Sequence, residues 1–87
     1  MSSTTISFTV PKEIKLKLDA VTHIGYYDSV SEFLRDAIRT ILQDRKDLRI
    51  AIAYELFTKK QISWGKAAEI IGSSIEETKE LFEQRKI

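Results

Sequence analysis

The sequence predicts a mainly α-helical fold with one short N-terminal β-strand, and three observations lead to this prediction. Residues 5–10 read Thr-Ile-Ser-Phe-Thr-Val and alternate strictly between hydroxyl and apolar side chains, which is typical of a strand with two different faces. The single proline, Pro11, follows directly and suits the first turn of a helix. Beyond it, apolar residues recur at helical spacing, with serine and glycine residues at the expected helix ends.

A single strand at residues 5–10 has no partner within its own chain, because the rest of the sequence is predicted to be helical. Its backbone N–H and C=O groups need hydrogen-bond partners. The same strand of a second copy would supply them, so we expect a homodimer with an intermolecular two-stranded antiparallel ribbon. Such a ribbon fits the major groove of DNA, and its outward face would carry Thr5, Ser7 and Thr9.

The helical pattern divides into several segments, each with recognisable end signals. Ser29 and Glu32 have the spacing of a capping box at the start of the second segment. The sequence leaves open whether the second and third segments form one continuous helix. We predict domains at 1–46, for dimerisation and DNA binding, and 47–87, a helical partner-binding or assembly segment. The predicted helices cover about residues 11–23, 30–44, 48–59, 64–71 and 75–86.

The composition argues against several functional classes. The 87-residue chain has no cysteine and one histidine, so we expect no disulfide scaffold, no metal site and no Cys or Ser/His/Asp nucleophile. It has no glycine-rich phosphate loop, and we therefore expect no enzymatic activity, no cofactor and no small-molecule ligand. A signal peptide and a transmembrane-length apolar run are also lacking, so we expect a cytoplasmic protein without membrane contact. The net charge of +1 is weak for a nucleic-acid-binding protein.

Three stretches of the first half occur in a recognisable order. They are Ile-Ser-Phe-Thr-Val-Pro at 6–11, Gly-Tyr at 25–26 and Ser-Glu-Phe-Leu-Arg-Asp-Ala-Ile-Arg at 31–39. In these stretches the chain resembles the ribbon-helix-helix superfamily, the MetJ/Arc/CopG group. The resemblance covers about residues 4–45 and implies a homodimer that inserts its paired strands into the major groove of double-stranded operator DNA. The family's base-reading positions then correspond to Thr5, Ser7 and Thr9.

The same resemblance implies a phosphate clamp at the start of the second helix, formed by Ser29, Val30 and Ser31. A helix N-terminus binds phosphate through free N–H groups and the helix dipole. Asp28 lies beside this clamp and would repel phosphate, and the strand carries no Arg or Lys. We therefore expect modest affinity per dimer, with several dimers on adjacent half-sites. The nearest candidates for further phosphate contacts are Lys12 and Lys15.

The second half contains a Ser-x-Gly-Lys-Ala-Ala-Glu-x-x-Gly pattern within residues 62–72, with Ala-Tyr-Glu-Leu-Phe at 53–57 and Leu-Phe-Glu-Gln-Arg-Lys-Ile at 81–87. In these stretches it is similar to a group of short prokaryotic proteins, many of them proposed antitoxins encoded beside PIN-domain ribonuclease toxins. This resemblance covers about residues 50–87, and the pattern within residues 62–72 is its most specific part. It implies a PIN-domain ribonuclease as protein partner.

The C-terminal segment also has features of a helix-turn-helix, but its last helix is acidic and would repel DNA phosphates. We therefore favour protein binding, to a basic RNA-binding cleft. Aromatic residues dominate interface hot spots, and Tyr54, Trp64 and Phe82 are the predicted anchors. Local core packing is the alternative role for these side chains, particularly for Phe57 and Leu81, which are also candidates.

Two functional hypotheses follow. In the first, the chain is a DNA-binding repressor and the antitoxin of a toxin–antitoxin pair, and its C-terminal helices bind the toxin. In the second, it is a stand-alone transcriptional regulator, and residues 47–87 enlarge the dimer or drive higher assembly. An assembly protein that binds no DNA is a third alternative.

Overall fold

The computed structural model describes residues 3–85 and divides between Ile38 and Arg39, within the second helix, into an N-terminal and a C-terminal unit. The predicted domain boundary, at residues 46 and 47, lies further along the chain. All secondary structure in the described residues is α-helical, at nearly the predicted positions. The helices are α1 (Lys12–His23), α2 (Val30–Asp44), α3 (Lys46–Thr58), α4 (Trp64–Ile71) and α5 (Ile75–Arg85).

The predicted N-terminal strand is wrong. Residues 3–10 have no regular secondary structure, and no strand or sheet occurs anywhere in residues 3–85. A strand needs a neighbouring backbone to satisfy its N–H and C=O groups, and no described segment provides one. The alternation of residues 5–10 therefore produces no ribbon, and the all-helical fold contradicts the ribbon-helix-helix prediction. Ile6 and Phe8 are 83% and 62% exposed.

In the N-terminal unit, α1 begins and ends as its sequence predicts. The carbonyl of Pro11 accepts hydrogen bonds from the N–H groups of Ile14 and Lys15, at 3.0 and 3.1 Å. At the other end, the N–H of Gly25 donates to the carbonyl of Thr22 at 3.1 Å. Gly25 has a φ of +82°, a left-handed conformation that glycine adopts without a Cβ penalty. This conformation ends the helix.

Ser29 caps α2, because its Oγ accepts a hydrogen bond from the N–H of Glu32 at 3.1 Å. The Glu32 carboxylate accepts from the N–H of Asp28 at 3.3 Å, one residue before the partner that a capping box predicts. The preceding Tyr27 places its ring edge-on to Phe33, with 5.2 Å between centroids. Neither α1 nor α2 contains a fully buried residue.

α2 and α3 are separate helices, which answers the question that the sequence left open. Arg45 lies between them with φ −111° and ψ 88°, outside the helical region. Its guanidinium contacts the carboxylate of Asp47 at 2.7 Å. This hydrogen bond and the positive charge of Arg45 hold the pKa of Asp47 below its ordinary value. Both side chains are exposed, so the pair adds little stability.

In the C-terminal unit, α4 packs against both α3 and α5. Ala53 and Ala67 are fully buried in its core, and their small side chains let the helices approach closely. Ser63 caps α4 by accepting from the N–H of Lys66 at 3.2 Å. Gly72 ends α4 with a φ of +83°. The core consists of Ala53, Ala67, Ile71 and Phe82.

Ser74 and Thr78 fix the start of α5. Ser74 Oγ accepts from the N–H of Glu77 at 3.1 Å, which is an N-cap bond. Thr78 is fully buried, and its Oγ1 donates to the carbonyl of Ser74 at 2.8 Å. A buried hydroxyl without a hydrogen-bond partner would cost stability, so this bond allows Thr78 to lie in the interior.

Arg49 connects the ends of two helices in the C-terminal unit. Its Nη1 donates to the carbonyls of Leu42 and Gln43, near the end of α2, at 2.8 and 2.6 Å. Its Nε donates to the carbonyl of Ile71, the last residue of α4, at 3.2 Å. The last carbonyls of a helix have no partner within the helix. One guanidinium on α3 therefore satisfies three carbonyls and complements two helix dipoles.

We predict that Arg49→Met lowers the free energy of unfolding by about 2–3 kcal/mol, because charge-assisted hydrogen bonds are lost and carbonyls are left without partners. Urea denaturation followed by circular dichroism measures the loss. The control is Arg45→Met, which removes an exposed ion pair and should cost less than about 1 kcal/mol. Equal losses in the two variants would contradict the role assigned to Arg49.

Candidate functional site

Aromatic rings from three helices meet on one side of the C-terminal unit. Phe82 of α5 is 5% exposed, and its ring contacts three others. Its centroid lies 5.2 Å from Tyr54, 5.5 Å from Phe57 and 5.6 Å from Trp64. The Phe57 and Trp64 centroids are 4.1 Å apart. We call these four residues the aromatic cluster.

An open groove lies over the aromatic cluster, with a volume of about 310 Å³. Thr58, Lys79 and Glu83 complete its lining. Trp64 is only partly buried, so the cluster is both part of the core and accessible from solvent. An apolar floor with a few polar groups at its rim is the arrangement that protein and ligand sites share.

Two cations lie over rings of the aromatic cluster. The Lys79 ammonium nitrogen is 5.5 Å from the Trp64 ring centroid, and the Arg85 guanidinium carbon is 5.7 Å from that of Tyr54. Cation–π attraction holds both side chains against the apolar surface. Of the two, Lys79 also lines the groove.

α5 also carries four glutamates, and they differ in their contacts. Glu77 pairs with Lys46 at 3.3 Å and accepts a hydrogen bond from Ser73 at 3.3 Å. Glu76, Glu80 and Glu83 are exposed and have no ion pair or hydrogen bond within the described part of the chain. α5 therefore presents three exposed carboxylates, one of which, Glu83, lines the groove.

The structure brings together Tyr54, Trp64 and Phe82, the three residues predicted to bind a protein partner. Phe82 is buried and serves as the floor of the groove, while Tyr54 and Trp64 are partly exposed. Sequence analysis missed Thr58 and Lys79, which also line the groove. The spacing of Lys79 and Phe82, three residues apart on one helix, was the signal that could have placed Lys79 there.

The residues predicted to read DNA bases do not belong to a strand in the described part of the chain. Thr5, Ser7 and Thr9 are all exposed, in the irregular segment before α1. Thr5 also lines an open depression of about 680 Å³, together with Ser31 of the predicted phosphate clamp. The structure thus brings one predicted base-reading residue close to the clamp without forming the predicted strand.

The predicted phosphate-binding residues lie at the starts of α1 and α2. Ser29 uses its Oγ to cap α2, and Val30 and Ser31 form the first turn. Lys12 is exposed at the first position of α1. Lys15 is also exposed, but its ammonium pairs with Asp19 at 2.8 Å.

Neither a metal-binding group nor a membrane-spanning helix occurs in residues 3–85. No group of three or more His, Cys, Asp or Glu side chains is placed to hold a metal ion. None of the helices there combines the length and the apolar character needed to cross a bilayer.

The part of the chain that matches a known protein family includes the C-terminal unit. Residues 29–87 match the profile of an uncharacterised protein family, UPF0175. The chain is also similar to a UPF0175 protein of Halobacterium salinarum, with 36% identity over 70 residues, which cover 80% of this chain and 71% of the relative. No solved structure matches the chain. The matched family region begins at the cap of α2 and includes the whole groove.

We predict that Phe82→Ala destabilises the C-terminal unit by about 3–5 kcal/mol, because it removes the buried ring that the rest of the aromatic cluster contacts. Gln84→Ala, an exposed change on the same helix, should cost less than about 0.5 kcal/mol. Chemical denaturation followed by Trp64 fluorescence measures both. A small effect of Phe82→Ala would show that the cluster is not part of the core.

Proposed function

This chain belongs to the UPF0175 family, and we propose that it is the antitoxin of a toxin–antitoxin pair that neutralises a small ribonuclease. The proposal is based mainly on the open groove over the aromatic cluster, which lies in the region that matches the family. The C-terminal sequence resembles antitoxins that accompany PIN-domain ribonucleases, so an enzyme of that class is the proposed partner. The chain acts by binding rather than by catalysis.

The groove suits a protein partner because its floor is aromatic and its rim is charged. Trp64 and Tyr54 are partly exposed, and aromatic residues of this kind provide most of the binding energy at many interfaces. The acidic surface of α5 complements a basic cleft that holds RNA on a ribonuclease. Occupying that cleft would exclude the RNA substrate, which is a direct means of neutralisation.

We predict that Thr58→Arg weakens inhibition of the partner ribonuclease at least about tenfold, a loss of about 1.4 kcal/mol of binding. Thr58 is exposed at the groove rim, so a long charged side chain there obstructs the groove without disturbing the core. The tagged full chain is purified from the source organism, the co-purifying ribonuclease is identified by mass spectrometry, and RNA cleavage is assayed with increasing amounts of the chain.

The matched control is Thr40→Arg, the same substitution at an exposed position of α2, which should inhibit like the unchanged chain. Circular dichroism confirms that both variants fold. The proposal fails if no ribonuclease is inhibited by the unchanged chain, or if Thr58→Arg inhibits as strongly as Thr40→Arg.

We propose DNA-binding repression as a second function, carried by the N-terminal unit. The exposed hydroxyls of Thr5 and Ser31 line one depression, and the first N–H groups of α2 lack intrahelical acceptors, which favours phosphate binding there. Two copies would associate, since the N-terminal unit leaves large apolar side chains exposed, including Leu16 at 63% and Ile24 at 63%. Light scattering tests the homodimer, and a monomer mass would exclude it.

We predict that replacing Thr5, Ser7 and Thr9 with alanine removes sequence preference in DNA binding without changing stability, because all three side chains are exposed. Fluorescence anisotropy with DNA from upstream of the chain's own gene, against a scrambled duplex, measures the preference. Low salt is used because phosphate contacts are then strongest. Unchanged preference in the triple variant would contradict the assigned role of these residues.

A further inference from the structure

We infer that the groove and the acidic face of α5 together receive a basic amphipathic helix of the partner. This inference rests on the proposed protein-binding role of the groove and specifies the chemistry and shape of what enters it. The relevant glutamates, Glu76, Glu80 and Glu83, stand at positions i, i+4 and i+7 of α5. Residues at this spacing share one helix face, and we call them the acidic stripe.

The acidic stripe differs from Glu77 in that its carboxylates have no ion pair among the described residues. Its three carboxylates are exposed and have no ion pair or hydrogen bond within the described residues, whereas the neighbouring Glu77 is paired with Lys46. The remaining cations of α5 are Lys79 and Arg85, which lie over aromatic rings. Within the described residues the three carboxylates of the acidic stripe are therefore open to a cation of another molecule.

Glu83 connects the acidic stripe to the groove. It belongs to the stripe and also lines the groove, whose floor is the Phe82 ring. A partner that places an apolar side chain in the groove, over Trp64 and Phe82, would therefore place its neighbouring residues against the stripe. A basic amphipathic helix presents apolar anchor residues beside basic residues.

The length of the acidic stripe favours a helical partner over an extended one. From Glu76 to Glu83 the stripe spans about 10 Å along α5, at 1.5 Å per residue. Basic residues at i, i+4 and i+7 of a second helix repeat at the same intervals, so two helices packed side by side bring all three pairs together. Nucleic acid and anionic lipid surfaces would be repelled by the stripe.

The test uses Trp64, the chain's single tryptophan, as a reporter at the groove. The probe is a synthetic, Ala-rich helical peptide of about 15 residues, with Arg at i, i+4 and i+7, a Leu anchor on the adjacent face, and no Trp or Tyr. We expect the peptide to change Trp64 emission saturably in the full chain, with an affinity that falls as salt is added.

The variant Glu76→Gln/Glu80→Gln/Glu83→Gln should bind the Arg peptide about tenfold more weakly, since three exposed charge pairs are lost. Its binding should also depend less on salt. The matched control is Glu13→Gln/Glu55→Gln/Glu69→Gln, which changes net charge equally at exposed positions elsewhere and should bind like the unchanged chain. A peptide with Glu in place of Arg should not bind.

Three results would overturn the inference. The first is that the Arg peptide does not change Trp64 emission, and the second is that both triple variants bind the peptide equally weakly. The third is that Trp64 emission changes with protein concentration alone, which would indicate that a second copy of the chain occupies the groove. Inhibition of the ribonuclease is measured without the peptide. A chain that inhibits the enzyme but ignores the peptide would therefore refute the basic helix while leaving the antitoxin proposal intact.

Discussion

The hydrogen bonds of Arg49 are the constraint on which the C-terminal unit depends. This α3 side chain satisfies carbonyls at the ends of both α2 and α4, which have no partners within their own helices. It thereby fixes where α4 ends relative to α3, and Gly72 then turns the chain toward α5. The positions of Trp64 on α4 and Phe82 on α5, and with them the groove, follow from this arrangement.

The aromatic cluster combines stability and exposure in one place. Phe82 is buried and contacts three rings, while Trp64 stays partly open to solvent. A small unit with few fully buried residues gains much of its stability from such large rings. Because the same rings form the floor of the groove, a partner would meet a surface that is already rigid, which lowers the entropic cost of binding.

The helices and their ends could be predicted from the sequence because their causes are local. Ser29, Ser63 and Ser74 accept hydrogen bonds from N–H groups three residues later, and Gly25 and Gly72 adopt positive φ. The strand predicted at residues 5–10 was wrong, because alternation describes side chains whereas a strand depends on a distant backbone partner. Residues 5–10 alternate well, yet the described chain offers them no such partner.

The candidate site was predictable only in part. Aromatic residues could be selected as anchors, and Tyr54, Trp64 and Phe82 do come together. Which of them faces the core depends on how α5 packs against α4, and that packing places Phe82 inside and Lys79 over Trp64. The angle between two helices cannot be derived from local sequence. Only the folded structure therefore shows that Lys79 and Thr58 line the groove.

We propose that the groove of the C-terminal unit is the surface that binds a ribonuclease partner. The most direct test compares amide and indole N–H chemical shifts of the isotope-labelled full chain, alone and bound to the ribonuclease that it inhibits. We expect the largest changes at the Trp64 indole and at residues of α5 around Lys79 and Glu83, with small changes in α1. Large changes confined to α1 and the segment before it would contradict the claim.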